Sequence, residues 1–371
     1  MLFTILKPDL RTHAIIDDYE SILWIERYAE YGEFELYTPL TKTMISALKL
    51  NYYIHLSDSD QVMVIEKIDI QTDAESGYHL VVTGRSLESI LDRRIIWNQT
   101  TVSGNFQNAV KKLLNENVIS PSIAARAISN LEFETTSSSD ITSLQIESTQ
   151  FTGTNLYEAI KTLCDQVQAG FLLWLDGTTF KFKLYMGKDR TYNQTGRIPV
   201  IFSSKMDNLV SSEYTESYQE MKNVALVVGE KEVEHQSMGE GGETTTETER
   251  VPVTTVAGAS NSSGLNRREI YVEANDVSNK SDDGETTISD AQHLQLLKQK
   301  GEEILAENGA EVTFEGQVVA DSTFRYGKQY FMGDLVQIVT DFGVAATARI
   351  TELMRSQTKD TFEVYPTFTL L

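Results

Sequence analysis

The sequence predicts a mainly β protein, two related β-barrel or sandwich domains with an α+β insertion and smaller α+β parts attached. Three observations point there. The first hundred residues alternate β-branched and aromatic runs with turn residues, the texture becomes helical after Trp97, and short strands return between Glu311 and Leu370. Hydrophobic residues make up 40% of the 371, which favours packed cores over disorder. The expected organisation is a first β domain at 1–96 and an inserted α+β domain at 97–200. β hairpins with a mobile acidic loop at 235–263 follow over 201–287, then a helix plus second β domain at 288–371.

The first elements are read from alternation. Leu2–Leu6, His13–Ile16, Ile22–Tyr28 and Glu33–Tyr37 read as strands, separated by Pro8-Asp9, Asp17-Asp18 and Tyr31-Gly32. Thr43–Leu50 reads as a short helix with Met44, Leu48 and Leu50 apolar. Tyr52–Leu56, Val62–Ile70 and Tyr78–Thr83 return to strand, with turns at Asp58-Ser59-Asp60 and Ala74-Glu75-Ser76-Gly77. Ser86 is the expected cap of a brief helix, Leu87–Arg93, that lays Leu87, Ile90 and Leu91 on one face.

Helical spacing takes over next. Asn105 is the expected N-cap of a helix through Asn115 carrying Phe106, Val110, Leu113 and Leu114. A second helix runs from Asn155 to Gln168 on the stripe Leu156, Ile160, Leu163 and Val167, with Gly170 as its stop. Phe171–Leu175 and Thr179–Met186 around Asp176-Gly177 predict a hairpin with a type I′ turn.

Asn223–Gly229 and Val251–Val256 are expected strands bracketing His235–Glu249, a polar, glycine-rich tract with little apolar area to offset the entropy of ordering. Ala259–Gly264 reads as a further loop. Ser289 with Gln292 forms a capping-box signature for the longest helix, to Asn308, with Leu294, Leu297, Ile304 and Leu305 inward and Gly309 as terminator. Strands at Glu311–Val319, Leu335–Val339, Ala346–Leu353 and Thr361–Leu370 complete the chain. Val64-Ile65-Glu66-Lys67-Ile68 with Tyr78–Val82 resembles Ala348–Leu353 with Thr361–Tyr365, an internal repeat or a chance likeness between hairpins.

Function classes narrow by exclusion. Thirty-two basic against fifty-four acidic residues give a formal net charge of −22, which argues against sustained nucleic-acid binding. A soluble acidic surface and a channel wall that repels DNA both fit it. No apolar run approaches the roughly 20 residues of a membrane span, and the start, MLFTILKPDLRTH, has no signal-peptide pattern. His13, His55, His79, His235 and His293 lack metal-ligand spacing, and the single Cys164 sits on an apolar helix face as a buried thiol would. Glu33 and Glu35 share a strand face and read as a solvated edge rather than a catalytic pair. Trp24, Trp97 and Trp174 lie in or beside core runs, which counts against stacking platforms of an adhesin. No catalytic, cofactor-binding or metal-binding residue is assigned, and no cofactor.

Several blocks carry a resemblance in their order along the chain. They are Trp24–Leu36 with Arg27-Tyr28, Gly32 and Phe34-Glu35-Leu36, then Gly84-Arg85-Ser86-Leu87 and Arg93-Arg94. Lys222-Asn223-Val224-Ala225, Val228-Gly229-Glu230, Gly264–Glu269 and Tyr271-Val272 follow, then Gly333-Asp334 and Ile350-Thr351-Glu352. Together they resemble siphophage tail proteins of the Gp37-like, tail-associated hub type; residues 97–200 add little. The resemblance implies a hub at the tail tip, similar in fold to the baseplate hub of contractile tails. It implies a homotrimer whose two related β domains make a pseudo-six-fold ring against a hexameric distal tail ring. Tape measure, tail-tube and receptor-binding or tail-fibre proteins are the implied neighbours, with DNA passing unbound. The expected location is the virion tail tip, after synthesis in the bacterial cytoplasm. The chain ends just after its last strand, so lytic activity seen in some relatives is expected from another protein. Two alternatives stay open: a tail-associated cell-wall hydrolase or endopeptidase, and a carbohydrate-binding adhesin.

Overall fold

Strands dominate the computed structural model, which describes residues 1–371 except 74–76, 239–243, 260, 319–323 and 340–344. The first part holds β1 (Phe3–Leu6), β2 (Thr12–Ile16), β3 (Ser21–Arg27), β4 (Glu33–Pro39), α1 (Lys42–Ala47), β5 (Tyr53–Leu56), β6 (Val62–Asp73) and β7 (Gly77–Ser86). Alternation drives it: in β4, Phe34 and Leu36 are buried while Glu33 and Glu35 face water. The expected turn residues 74–76 lie outside the described residues. Leu87–Arg93 is a 3₁₀ helix, and Ser86 does not cap it. The Ser86 hydroxyl is engaged elsewhere, accepting from the Gly32 amide at 2.7 Å and facing Glu88.

The middle of the chain holds β8 (Thr100–Asn105), α2 (Phe106–Leu114), β9 (Leu131–Glu134), α3 (Ser139–Thr142), β10 (Gln145–Phe151), α4 (Leu156–Val167), β11 (Gly170–Asp176) and β12 (Thr179–Tyr185). Asn105 and Asn155 cap α2 and α4 as their spacing predicts. Gln168, in left-handed geometry at φ 55°, ends α4 in place of Gly170. Gly170 instead opens β11, because Tyr28 leaves no room there: a Cβ would lie 2.3 Å from its ring. The β11–β12 turn is also displaced. Asp176 pairs with Thr179, so Gly177 and Thr178 form the loop. Gly177 has φ 61° and Thr178 is not among the positive-φ residues, the type II′ pattern.

Beyond lie β13 (Ile201–Ser203), β14 (Leu209–Ser217), β15 (Val224–Met238), β16 (Thr244–Gly258), β17 (Glu269–Glu273) and α5 (Asp290–Glu307). The loop expected around His235–Glu249 is largely strand. The β15–β16 ladder runs unbroken from Val224↔Gly258 to Met238↔Thr244, with residues 239–243 outside the described set. Pairing satisfies the backbone without a core, and the threonines of β16 favour extended geometry. The Ser289–Gln292 capping box is present. Leu294, expected inward, is 38% exposed; Leu297, Ile304 and Leu305 pack on β15–β17 as expected, and Leu296 joins them. The helix ends at Glu307 with Asn308 as its C-cap, bonded to the Ile304 carbonyl, and Gly309 follows at the expected place but without a positive φ.

The chain closes with β18 (Glu311–Val318), β19 (Leu335–Val339), β20 (Ala345–Thr358) and β21 (Phe362–Leu370). Among the described residues, one 13-stranded sheet joins both ends of the chain. Within it, a strand path occurs twice: β1-β5-β6-β7-β4-β3 and β13-β19-β20-β21-β18-β14. Corresponding strands come in the same chain order, and every pairing is antiparallel in both except β13–β19, which is parallel.

The repeat extends to irregularities. The β6–β7 ladder shifts register between Ile65 and Lys67, and the β20–β21 ladder shifts between Ile350 and Glu352. Just before each bulge, the amide of a positive-φ residue, Asn51 or Gly333, donates to the carbonyl of Ile65 or Ile350 at 2.8 Å. Chance likeness between hairpins does not reproduce a shared bulge, a shared turn and a shared strand order. Residues 87–187 leave the sheet between the two paths, Lys188–Arg190 rejoining it beside Leu335, and 218–310 leave it between β14 and β18.

Candidate assembly site

The two strand paths are stitched where β20 pairs with β3, Glu352↔Arg27 through Thr358↔Ser21. Period two puts Glu26 on the inward face of β3 with Ile22 and Trp24, and Arg355 on that of β20 with Leu353. Glu26 is 5% exposed and Arg355 7%, and they form a buried ion pair. Glu26 also accepts from the Trp24 indole at 3.2 Å, the Ser59 hydroxyl at 2.7 Å and the Tyr326 hydroxyl at 3.3 Å. The Arg355 guanidinium lies 5.4 Å from the Tyr326 ring. Around this pair opens a cleft of about 870 Å³, also lined by Lys183, Arg190, Tyr330 and Asp334.

The neighbouring motif residues are joints as well. Arg27 bonds Glu352 at 2.6 Å across the seam and Glu33 at 2.8 Å on the adjoining β4; burial opposes its charged form, and the two acids together outweigh that cost. Tyr28 enters the second core, its hydroxyl donating to the Gln168 carbonyl at 3.2 Å. Its ring fills the space over Gly333, where a Cβ would meet it at 2.2 Å, and Arg349 lies 5.3 Å from the ring. Arg85 grips Glu66 at 2.7 and 3.0 Å and Asp92 at 3.1 Å, so its charged form is strongly favoured. Arg267 pairs with Glu269, and Asn223 and Arg268 bind through their backbones and the Asn223 amide.

Glu88 links the first sheet to the middle segment. One oxygen accepts from the Leu173 amide at 2.8 Å and the other faces Ser86, itself bound to Gly32. Burial pushes the Glu88 carboxyl up to about 7, only partly offset by these hydrogen bonds.

The residues screened for chemistry are scattered. Cys164 is buried in the α4 core, and burial pushes its thiol well above the usual range, away from nucleophilic thiolate. His79 stacks on Tyr37 at 4.7 Å beside Glu20, and His55 bonds the Ser59 carbonyl at 2.9 Å. Burial lowers the pKa of His293 on α5. Among the described residues, no three His, Cys, Asp or Glu side chains gather as metal ligands would, and no helix is long and apolar enough to cross a membrane. The tryptophans correct one expectation. Trp24 is buried, but Trp97 is 56% exposed under Arg126, and Trp174 is half-buried between Lys181 and Lys183.

Sequence reading missed Glu26, Arg355 and Glu88. Strand parity carries the signal for the first two, a charge on an apolar face in each strand. For Glu88 the only cue is its place between Leu87 and the Ile90-Leu91 pair. What the arrangement does chemically is tie the two strand paths to each other, through Glu26 and Arg355, and to the middle segment, through Glu88.

A family model described as Siphovirus ReqiPepy6 Gp37-like protein matches residues 2–368. No curated protein matches the chain. Among solved structures, it is similar to a tail protein from Neisseria meningitidis MC58, with TM-score 0.53, 11% identity and coverage of 100% of this chain and 96% of that one. A 43 kDa tail protein of prophage MuSo2 from Shewanella oneidensis gives TM-score 0.53, 12% identity and coverage of 100% and 98%. Prophage tail protein gp18 from Listeria monocytogenes EGD-e gives 0.51, 13%, 99% and 94%. At such identities the likeness is one of fold.

Proposed function

The chain belongs to the Siphovirus ReqiPepy6 Gp37-like family, and on that premise, with the fold of phage tail proteins, we propose that it is a structural tail-tip hub of a long-tailed bacteriophage or prophage. Three copies form a ring below the distal tail ring, closing or lining the DNA channel and linking the tail tube to the host-contacting tip. The observation that carries this reading is the strand path that occurs twice in one chain. Two like units per chain and three chains give six like units, the symmetry a hexameric ring requires of its partner. Within the chain, the proposed units are the two strand paths, the middle α+β segment and the β15–β17 unit with α5.

Light scattering of concentrated protein should report a mass of about three protomers; a stable dimer or tetramer would sink the ring. The hub acts by position rather than catalysis. Tape measure, tail-tube and receptor-binding proteins are its proposed neighbours, and DNA passes without sticking, each chain bringing a net −22. Incubated with cell walls, the protein should release nothing above a heat-killed control, and at low salt it should retain no DNA. Turnover or tight DNA retention would overturn the reading.

A further inference from the structure

We propose that the open edge of β6, Lys67–Thr72, pairs antiparallel with β14, Ser212–Ser217, of a second copy of this chain. The proposal rests on the ring reading above and names the contact that builds the ring. It follows from comparing the two strand paths position by position. Ile65 corresponds to Ile350, so Lys67–Thr72 corresponds to Glu352–Gln357. Across the sheet, Gly84 and Phe368 lead to Phe34 and Phe314, and these lead to Trp24 and Tyr214. β14 is therefore the counterpart of β3. Even a local bond is shared: the Trp24 indole donates to Glu26 at 3.2 Å, and the Tyr214 hydroxyl donates to Glu216 at 3.0 Å.

The edge of β20 beyond its bulge is covered by β3 of the same chain. The corresponding edge of β6 has no strand on it among the described residues, because β5 leaves β6 at Val64. Burial records the difference. Leu353 and Arg355, under β3, are 0% and 7% exposed. Their counterparts are Ile68, half-buried, and Ile70, 61% exposed although its cross-strand neighbour Leu80 is 1% exposed. Among the described residues, Ile70 thus sits on the inward face of its sheet with no strand beside it.

Within the chain, β14 cannot reach this edge along the sheet: it stands at one end of the path, and β18, β21, β20, β3, β4 and β7 lie between it and β6. A second copy supplies it. Transferring the β20–β3 register places Ile70 opposite Tyr214, an aromatic–β-branched pair, and Gln71 opposite Glu213. Lys67 falls opposite Ser217, Ile68 opposite Glu216 and Asp69 opposite Thr215, so no like charges face each other. A one-residue slip would turn Ile70 back to water, which fixes the register.

Paired cysteines test it. Gln71 and Glu213 are exposed, and the single native cysteine, Cys164, is buried. Mildly oxidised Q71C/E213C at high concentration should run as a covalent trimer on a non-reducing gel. Each single variant should stay monomeric, and their mixture should give dimers. A trimer by light scattering that gives no crosslink would overturn the strand pairing and leave the ring reading standing. Covalent dimers from Q71C alone would overturn it in favour of β6 pairing with itself. Crosslinked species beyond three protomers would keep the pairing and overturn the closed trimer. A monomer without crosslinks at any concentration would overturn both.

Discussion

Replacing Arg355 by alanine is expected to cost about 3–5 kcal/mol of folding stability, the range for a buried ion pair that loses one partner. The guanidinium is the cation paired with Glu26, and both are almost wholly buried. Without it, Glu26 keeps three hydrogen-bond donors but loses its only ion-pair partner among the described residues, on a side chain that is almost wholly buried. The loss falls on the β20–β3 seam, where the pair sits. Urea unfolding of the single variant and of Arg355→Met with Glu26→Gln separates charge from packing. The pair of neutral replacements should recover most of the loss. A loss below about 1 kcal/mol in Arg355→Ala would mean the seam is held by backbone pairing alone.

The second large effect is pH-dependent and belongs to Glu88. In the unfolded chain this carboxyl titrates near its ordinary value of 4.5, while in the fold it keeps its proton to about 7. The native state therefore binds more protons between those values, and stability falls as pH rises through the window. The shift corresponds to about 3 kcal/mol, fully lost above pH 7. Glu88→Gln keeps an acceptor for the Leu173 amide without the charge. It should match the parent near pH 4 and exceed it at pH 8 by up to about that amount. Other buried acids such as Glu303 and Asp165 titrate in both proteins, so the difference between the two curves isolates Glu88. Parallel curves from pH 4 to 8 would show that the carboxylate is solvated in the native protein.

Much of this protein is legible in its sequence because its elements are local. Alternation in Glu33–Pro39, the asparagine caps at Asn105 and Asn155, and the Ser289–Gln292 box each need only a few neighbouring residues. Charge balance and the scattered histidines could likewise be read without coordinates. Expectations failed where a distant residue set the outcome. Gly170 looks like a helix stop until Tyr28, far away in sequence, occupies its space. The tract around His235 looks unable to order until its two arms pair with each other. Ser86 looks like a cap until Gly32 and Glu88 claim its hydroxyl.

The sequence by itself determined the fold class, the main helices, many of the strands and the family likeness, since periodicity, caps and short motifs are written in consecutive residues; the strands β8, β9, β10, β13, β14 and β17 carried no such signal. Only the tertiary structure decided that β20 carries β3 on the edge that β6 leaves open, and that Glu26 meets Arg355 across 329 positions. Strand pairing is a contact between backbones, which look alike in every residue, so its partners are chosen by the packing of whole sheets and not by any local signal.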